Sequence, residues 1–351
     1  MSGSHQICNQ AAIPRRKINC MNFVLGRDDS SEVAERMVLA AAAEAYSGAR
    51  FELVVLADGR RLIHKHLPRE GDWLTRLTAG DGRMRLLWDS GTLAQVGASV
   101  DHAVVAVVPR NGVDVVVMRD VADVLIPSGT TVSSAVACRL LAGLAAFHHA
   151  GEGRELDGLC CPQDRYRLFA PKLHRSDKGP NRHPARNLIL AGWETFAELV
   201  PTDVAEAVFA VHEHPEPLAA ALIAAAPPTL VHGDAKLENL GLDGDRLVAI
   251  DWGELTGIGP AEIDVAWFAV MSGWRIDGLP GDVFAAYDEQ AHRRLDPTAL
   301  DLACIGSLAQ MGFRMAGRCR ANDVQTRARA ATLLAWWAAR VRAALSTWSP
   351  A

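Results

Sequence analysis

Residues 230–240 read LVHGDAKLENL, an apolar run followed by His232, Gly233, Asp234, Lys236 and Asn239. Apolar strands commonly end in turns of Gly, Asn or Asp, so part of this stretch is turn punctuation. The step from Asp234 to Asn239 is also the D-x-x-x-x-N spacing of a phosphoryl-transfer loop. Such chemistry needs Mg²⁺ across phosphate oxygens, held by hard oxygen ligands, and an Asn with an Asp supplies them at tolerable charge. It also needs a carboxylate beside the attacking hydroxyl to orient it and take its proton. Asp234 is the candidate for that task, on a turn that Gly233 lets bend sharply. Lys236, two residues on, is placed to neutralise charge developing on the transferred group.

The elements around these residues have to bring them together. Leu240–Leu242 and Leu247–Ile250 flank Asp243-Gly244 and read as a hairpin, which returns Asp251 to the neighbourhood of Asn239. Upstream, FELVVLADGRRLIHKHL (51–67) reads as a second hairpin turning on Asp58-Gly59, where both turn residues are expected at positive φ. In its second strand Leu62, His64 and His66 share one face, and Arg61, Ile63 and Lys65 the other. Lys65 is thus an ammonium beside an apolar surface, or else a solvated lysine at a strand end. Residues 102–108 and 113–121 read as two more β-branched strands joined around PRNG. The segment SEVAERMVLAAAAEAY reads as helix by propensity, with strand as the alternative for its last part.

Past Met118 the spacing of apolar residues becomes helical, and TVSSAVACRLLAGLAAFHHA has Ser or Thr for an N-cap. Residues 162–186 read as loop, and the tail as two long amphipathic helices with Trp336 and Trp337 in a core. The expected class is α+β: a small N-terminal antiparallel sheet lobe, a larger helical C-terminal lobe, a hinge near 118–122 and a ligand cleft between them. The expected division is a disordered leader at 1–30 (with Met21 as an alternative start), an N-terminal lobe at 31–121 and a C-terminal lobe at 122–349.

Composition narrows the function classes. With 351 residues, 49% hydrophobic and 22% charged, the chain is long enough for two cores. No apolar run has the ~18 residues of a membrane helix. A net charge of −5 without a long basic run argues against a sequence-independent nucleic-acid binder. Seven scattered cysteines without a C-x-x-C are neither a disulfide framework nor a zinc pattern, and point to reduced thiols in the cytoplasm. Oligomeric state is not legible.

The run His232-Gly233-Asp234, then Asn239, then Ile250-Asp251-Trp252-Gly253 resembles the aminoglycoside phosphotransferase and choline kinase family, which has a protein-kinase-like fold. The likeness covers about residues 40–275 and is most specific at 229–267. It implies an ATP- and Mg²⁺-dependent O-phosphotransferase acting on a small-molecule hydroxyl, with Asn239 and Asp251 as metal ligands. It implies that Lys65 holds the α/β-phosphates and that Ser47 and Gly48, in YSGAR, belong to the loop over the phosphates. MRDV, with Met118 and Asp120, becomes the hinge that receives adenine, and Asp264 a structural residue bonding the catalytic-loop backbone. Two positions depart from the pattern. A GxGxxG loop is absent, and GRMRLLWDSG presents Met84 and Arg85 where the lysine's glutamate partner is sought, with Glu70, Asp72 and Asp89 as the nearby acids.

Two other classes stay open: a catalytically silent nucleotide-binding protein, and a protein kinase. Only twelve residues separate Asp251 from Asp264, short for a peptide-docking activation segment. The acceptor is not identified by the sequence; residues 162–190 and 275–325 are the stretches expected to contact it. The acids of FAAYDEQ (Tyr287, Asp288, Glu289) read as a solvated helix face or as a cation-receiving patch.

Overall fold

A computed structural model of the chain describes residues 33–39, 48–67, 73–78, 80, 82–176 and 185–348. The expected leader and Ser47 lie outside the described residues. The N-terminal lobe is built on an antiparallel sheet of β1 (Val33–Leu39), β2 (Arg50–Leu56), β3 (Arg61–His66), β5 (Val104–Arg110) and β6 (Val113–Arg119), in the order β1-β2-β3-β6-β5. One face carries Val54, Leu62, Val115 and Val117 in a small core. The other carries Lys65, Val107 and Val116, and the latter two join the main core of the C-terminal lobe.

The turns and the first strand differ from expectation in physical detail. In the β2–β3 turn only Gly59 holds positive φ (82°), and Leu56 and Arg60 close a wider loop than a two-residue turn. In the β5–β6 hairpin both Asn111 and Gly112 hold positive φ, as a type I′ turn needs. Residues 33–39 are strand where helix propensity predicts helix: pairing with β2 from Leu39↔Phe51 back to Val33↔Leu56 overrides a weak local preference.

Between β3 and β5 lie three short helices, α1 (Trp73–Thr78), α2 (Arg83–Asp89) and α3 (Thr92–Val96), and the two-residue strand β4 (Val100–Asp101). The C-terminal lobe follows with α4 (Ser134–Gly151), whose Ser133 side chain caps the Val136 N–H. Residues 162–176 are not loop: α5 (Pro162–Arg167) and α6 (Pro171–Ser176) each start on a proline, which loses no hydrogen bond at a helix start. Then come α7 (Arg186–Leu199), α8 (Thr202–Glu213), α9 (Glu216–Ala225), β7 (Thr229–Val231), β8 (Leu240–Asp243), β9 (Arg246–Ala249) and β10 (Gly257–Gly259). The chain ends in α10 (Glu262–Ser272), α11 (Pro280–Gln290), α12 (Pro297–Arg318) and α13 (Val324–Ala344).

α12 is not amphipathic in place. It is buried around most of its girth from Ala299 to Ala316, as a central core helix is, and packs on α7, α10 and α13. Trp337 is fully buried, while Trp336 is half-buried against Phe284. Among the described residues no helix is long and apolar enough to cross a membrane. β9 pairs antiparallel with β8 and parallel with β4, and so ties the β8–β9 hairpin to the end of the N-terminal lobe's helices. The fold is thus an antiparallel-sheet lobe on a helical lobe in the protein-kinase-like manner.

Candidate active site

β7 ends at Val231, and the next residues leave the β7–β10 ladder, so their backbone groups need other partners. Asp264, at the start of α10 and fully buried, supplies them: its Oδ2 accepts from the His232 N–H at 2.6 Å and its Oδ1 from the Gly233 N–H at 2.8 Å. His148 Nε2 lies 3.2 Å from Oδ2, and His148 Nδ1 is 2.8 Å from the Tyr287 hydroxyl. Burial pushes the Asp264 carboxyl up, but the His148 hydrogen bond and the nearby positive charges outweigh it and hold it below the usual range. Gly233 turns the chain at φ 82°, and a Cβ there would fall 1.8 Å from the Leu255 carbonyl oxygen. His232 is scaffold: its Nε2 donates to Ile250 O at 2.9 Å, its Nδ1 accepts from the Asp234 N–H at 3.2 Å, and burial lowers its pKa.

Those bonds aim Asp234. Its Oδ1 accepts from Trp267 Nε1 at 3.0 Å, and its Oδ2 from Lys236 Nζ at 2.6 Å and Asn239 Nδ2 at 2.9 Å. Asn239 also donates to the Asp234 carbonyl at 2.9 Å, so its amide nitrogen is spent on Asp234 and its Oδ1 is turned the other way. Burial alone would lower the Lys236 pKa, but Asp234 and Asp251 reverse this and raise it, so Lys236 stays charged.

Asp251 leaves β9 at φ 68°, a left-handed backbone that a non-glycine residue adopts at a cost of order 1–3 kcal/mol. Its Oδ1 lies 2.6 Å from Nζ of the buried Lys65. Its side chain is 42% exposed to the cleft; partial desolvation there pushes its carboxyl up, yet Lys65 and then Lys236 outweigh this and hold it below the usual carboxylate range. Lys65, Met118, Asp234, Lys236, Asn239 and Asp251 all line one cleft of ≈ 620 Å³ between the lobes. Asn239 and Asp251 present oxygen only, an amide and a carboxylate. That donor set fits Mg²⁺ and not a softer metal.

Other positions fall outside that cleft. Gly48 is exposed, with φ 62°, and does not line it. Asp120 turns its carboxylate to Arg61 (2.8 Å) and the Ala122 N–H (3.2 Å), and its own N–H goes to Arg61 O. Tyr287 is buried on His148, and Asp288 accepts from the Leu295 N–H at 2.7 Å, so neither reaches the cleft. Of the acids near Lys65, Asp89 lies on the exposed side of α2 near Arg85, while Glu70 and Asp72 lie outside the described residues. Met84 lines the cleft, and Arg85 forks onto Asp114. A separate donor group on the opposite sheet face, Glu52, His64 and His66, has its ligand atoms within 4.8 Å of one another; Arg36 and Arg50 already neutralise its carboxylate.

Three positioning residues carry no motif. Trp267 is readable only as the position three beyond Asp264, hence on the same helical face. Arg275, fully buried, donates to Thr130 O, Pro127 O and Glu238, pinning the turn after Lys236 to the start of the C-terminal lobe. Arg83 spans from Gly158 O (3.1 Å) to Glu254 O (2.6 Å) and so holds the segment after Asp251.

A sheet lobe with a buried lysine, set over a helical lobe presenting Asp, Asn and a second Asp to the same cleft, is the architecture of a small-molecule phosphotransferase. The sequence matches the Phosphotransferase enzyme family over residues 43–298, and the chain belongs to that family. Among solved structures, the microcompartment-associated aminopropanol kinase is similar at 14% identity and a TM-score of 0.50, covering 89% of this chain and 93% of its own. An aminoglycoside phosphotransferase from Alicyclobacillus acidocaldarius is similar at 19% identity and a TM-score of 0.45, covering 88% and 91%. The ADP-bound aminoglycoside phosphotransferase APH(2″)-Ib is similar at 15% and 0.47, covering 88% and 95%. At these identities the likeness is one of fold. Comparison with curated proteins finds no match.

Proposed function

We propose that the chain is an ATP- and Mg²⁺-dependent O-phosphotransferase that moves the γ-phosphoryl group to a hydroxyl of a small molecule. The observation that carries this is the state of Asp234. Its Oδ2 is saturated by Lys236 and Asn239, whereas Oδ1 carries one hydrogen bond, from Trp267, and keeps a lone pair for an acceptor hydroxyl. In this reading Asp234 Oδ1 orients the hydroxyl and takes its proton as the oxygen attacks phosphorus. Lys236 neutralises charge on the phosphoryl oxygens, Lys65 holds the α/β-phosphates, and Asn239 and Asp251 would hold Mg²⁺. The ion, when bound, draws negative charge from the phosphate oxygens. Met118 and the backbone near Asp120 border the adenine, with the nucleotide in lobe 31–121 and the acceptor in lobe 122–349. Membership of the phosphotransferase family supports a phosphoryl donor, and the aminopropanol kinase of similar fold is named for a small alcohol. The five described cysteines are free thiols, which fits a reducing cytoplasm.

A silent nucleotide-binding protein is the second reading, favoured by Met84 where a glutamate partner for Lys65 is sought. ATP consumption by the full chain with Mg²⁺ and a panel of hydroxylated acceptors separates the two. Acceptor-dependent turnover that drops by about 10²–10⁴ in Asp234→Asn, with ADP binding kept, supports the enzyme. ADP bound without turnover on any acceptor supports the silent protein.

A further inference from the structure

The sheet face turned away from the cleft carries a second group of chemistry-bearing residues. Glu52 on β2 and His64 on β3 are direct cross-strand partners, and His66, two residues on, returns to the same face. One ligand atom from each of the three lies within 4.8 Å of the others. His66 Nε2 stands 3.2 Å from Glu52 Oε2. Two ligands bound 2.0–2.1 Å from a tetrahedral ion are about 3.3 Å apart, nearly the same separation. Lys65 sits between the two histidines and points into the cleft, so the two sites use opposite faces of one strand.

The imidazole nitrogens are in a state that suits a metal. His64 is buried, and neither its Nδ1 nor the Nε2 of His66 has a hydrogen-bond partner among the described residues. The approach of His66 to Glu52 is close but out of line for a hydrogen bond. A buried nitrogen left so has given up water for nothing, and a bound ion would supply the missing partner. Burial and the nearby Arg110 and Arg36 push the His64 pKa down to about 4, so its ring is neutral at physiological pH and keeps a lone pair to donate.

The arginines set a condition on the ion. Arg50 donates to Glu52 Oε1, and Arg36 Nη1 lies 3.5 Å from Oε2. Both are exposed side chains, and surface pairs of this kind are given up at little cost. Oε1 can keep Arg50 as an outer partner while Oε2 turns to the ion. A positive rim with a single carboxylate is a poor place for Mg²⁺ or Ca²⁺, which need several oxygen ligands. Two imidazoles and one carboxylate are instead the donor set of an open zinc site.

We propose that Glu52, His64 and His66 form a Zn²⁺ site that clamps β2 to β3 behind Lys65. The site stands apart from the cleft and does not depend on phosphoryl transfer there. The test uses the full chain, stripped with EDTA and then saturated with Mg-ADP to fill the cleft. Zn²⁺ is titrated against a chromophoric chelator, and thermal unfolding is followed with and without the ion. One Zn²⁺ per chain is expected, with a higher melting temperature. His66→Gln, at a half-buried position, and Glu52→Gln are each expected to weaken Zn²⁺ at least about tenfold, since even an outer-shell partner is worth ~10–100-fold. Each should also lose the thermal shift while matching wild type in EDTA, which shows that the variant folds. Arg36→Gln, which removes an opposing charge, is expected to tighten Zn²⁺, and Asp251→Asn to leave it unmoved.

Co²⁺ in place of Zn²⁺ reads the donors directly. Ligand-field bands without thiolate charge transfer, and paramagnetically shifted imidazole N–H signals from two histidines, are the expected spectrum. Failure to bind Zn²⁺ overturns the proposal, as does unchanged affinity in both His66→Gln and Glu52→Gln. A thiolate band would put the ion on cysteines, and loss of binding in Asp251→Asn would put it in the cleft; either result is equally fatal.

Discussion

Lys65 and Asp251, 186 residues apart in the chain, meet with Nζ 2.6 Å from Oδ1 and so join the sheet lobe to the exit of β9. Both roles proposed for this pair belong to the nucleotide: the lysine to its phosphates, the aspartate to its metal. Binding Mg-ADP must then exchange the pair for two new partners. Lys65→Met removes the phosphate partner and leaves Lys236 as the cation nearest Asp251. Mg-ADP affinity measured by calorimetry is expected to fall at least tenfold, about 1.4 kcal/mol. Unchanged affinity would take Lys65 out of the nucleotide site.

Asp264 fixes the His232–Asp234 turn from behind without touching the cleft. Asparagine in its place keeps one acceptor oxygen but turns an NH₂ toward a backbone N–H or toward His148. One charge-assisted bond is lost and a buried donor is left unsatisfied, so Asp264→Asn is expected to cost about 2–3 kcal/mol in urea unfolding. Turnover should drop because the Asp234 carboxylate loses its fixed aim, while ADP affinity moves less. Stability within a few tenths of wild type would show that the turn holds itself.

What the sequence reveals is what local rules control. Asp234, Asn239 and Asp251 are joined by one short loop and one hairpin, so spacing alone brings them together, and strand alternation puts Lys65 on the cleft face. The distant partners obey no such rule. Helical spacing puts Trp267 on the face of Asp264, but only packing shows that its indole N–H reaches Asp234. Arg83 and Arg275 read as ordinary charged residues, and their burial on backbone carbonyls is a tertiary outcome. β1 departs from its own propensity because VAERMVL holds good helix formers, while its strand state depends on the β2 edge.

Two glycines at positive φ separate backbone strain from crowding. Gly244, first of the two turn residues between Asp243 and Arg246, sits at φ 61°, and a Cβ added there would meet nothing within 4 Å. Gly244→Ala should cost only the left-handed penalty, about 1–2 kcal/mol. Gly233→Ala meets the same penalty plus a backbone carbonyl at 1.8 Å, which forces the β10 side of the site to move. It is expected to lower the urea midpoint further than Gly244→Ala and to abolish turnover. Equal midpoints would mean that the turn relaxes freely.

His212 makes stability depend on mild acid. Its ring lies edge-on to Trp193, its Nε2 is 2.6 Å from Ala309 O, and its buried Nδ1 has no partner among the described residues. Burial pushes its pKa down from 6.5 to about 4; the Ala309 bond and Glu213 oppose this, and His174 adds to it. Between those values the unfolded chain takes up a proton that the native state refuses. The stabilisation is therefore complete above pH 6.5 and is lost as pH falls toward about 4. The gap corresponds to about 3 kcal/mol at 1.36 kcal/mol per pH unit. His64, buried and pushed down to about 4 by desolvation and Arg110, adds a contribution of the same sign in the same window. Urea unfolding of wild type and His212→Gln across pH 4–7 is the check, since glutamine keeps an N–H donor and cannot titrate there. The variant's profile should be flatter by about 3 kcal/mol and should keep the His64 slope. Parallel profiles would show that His212 accepts its proton in the folded protein.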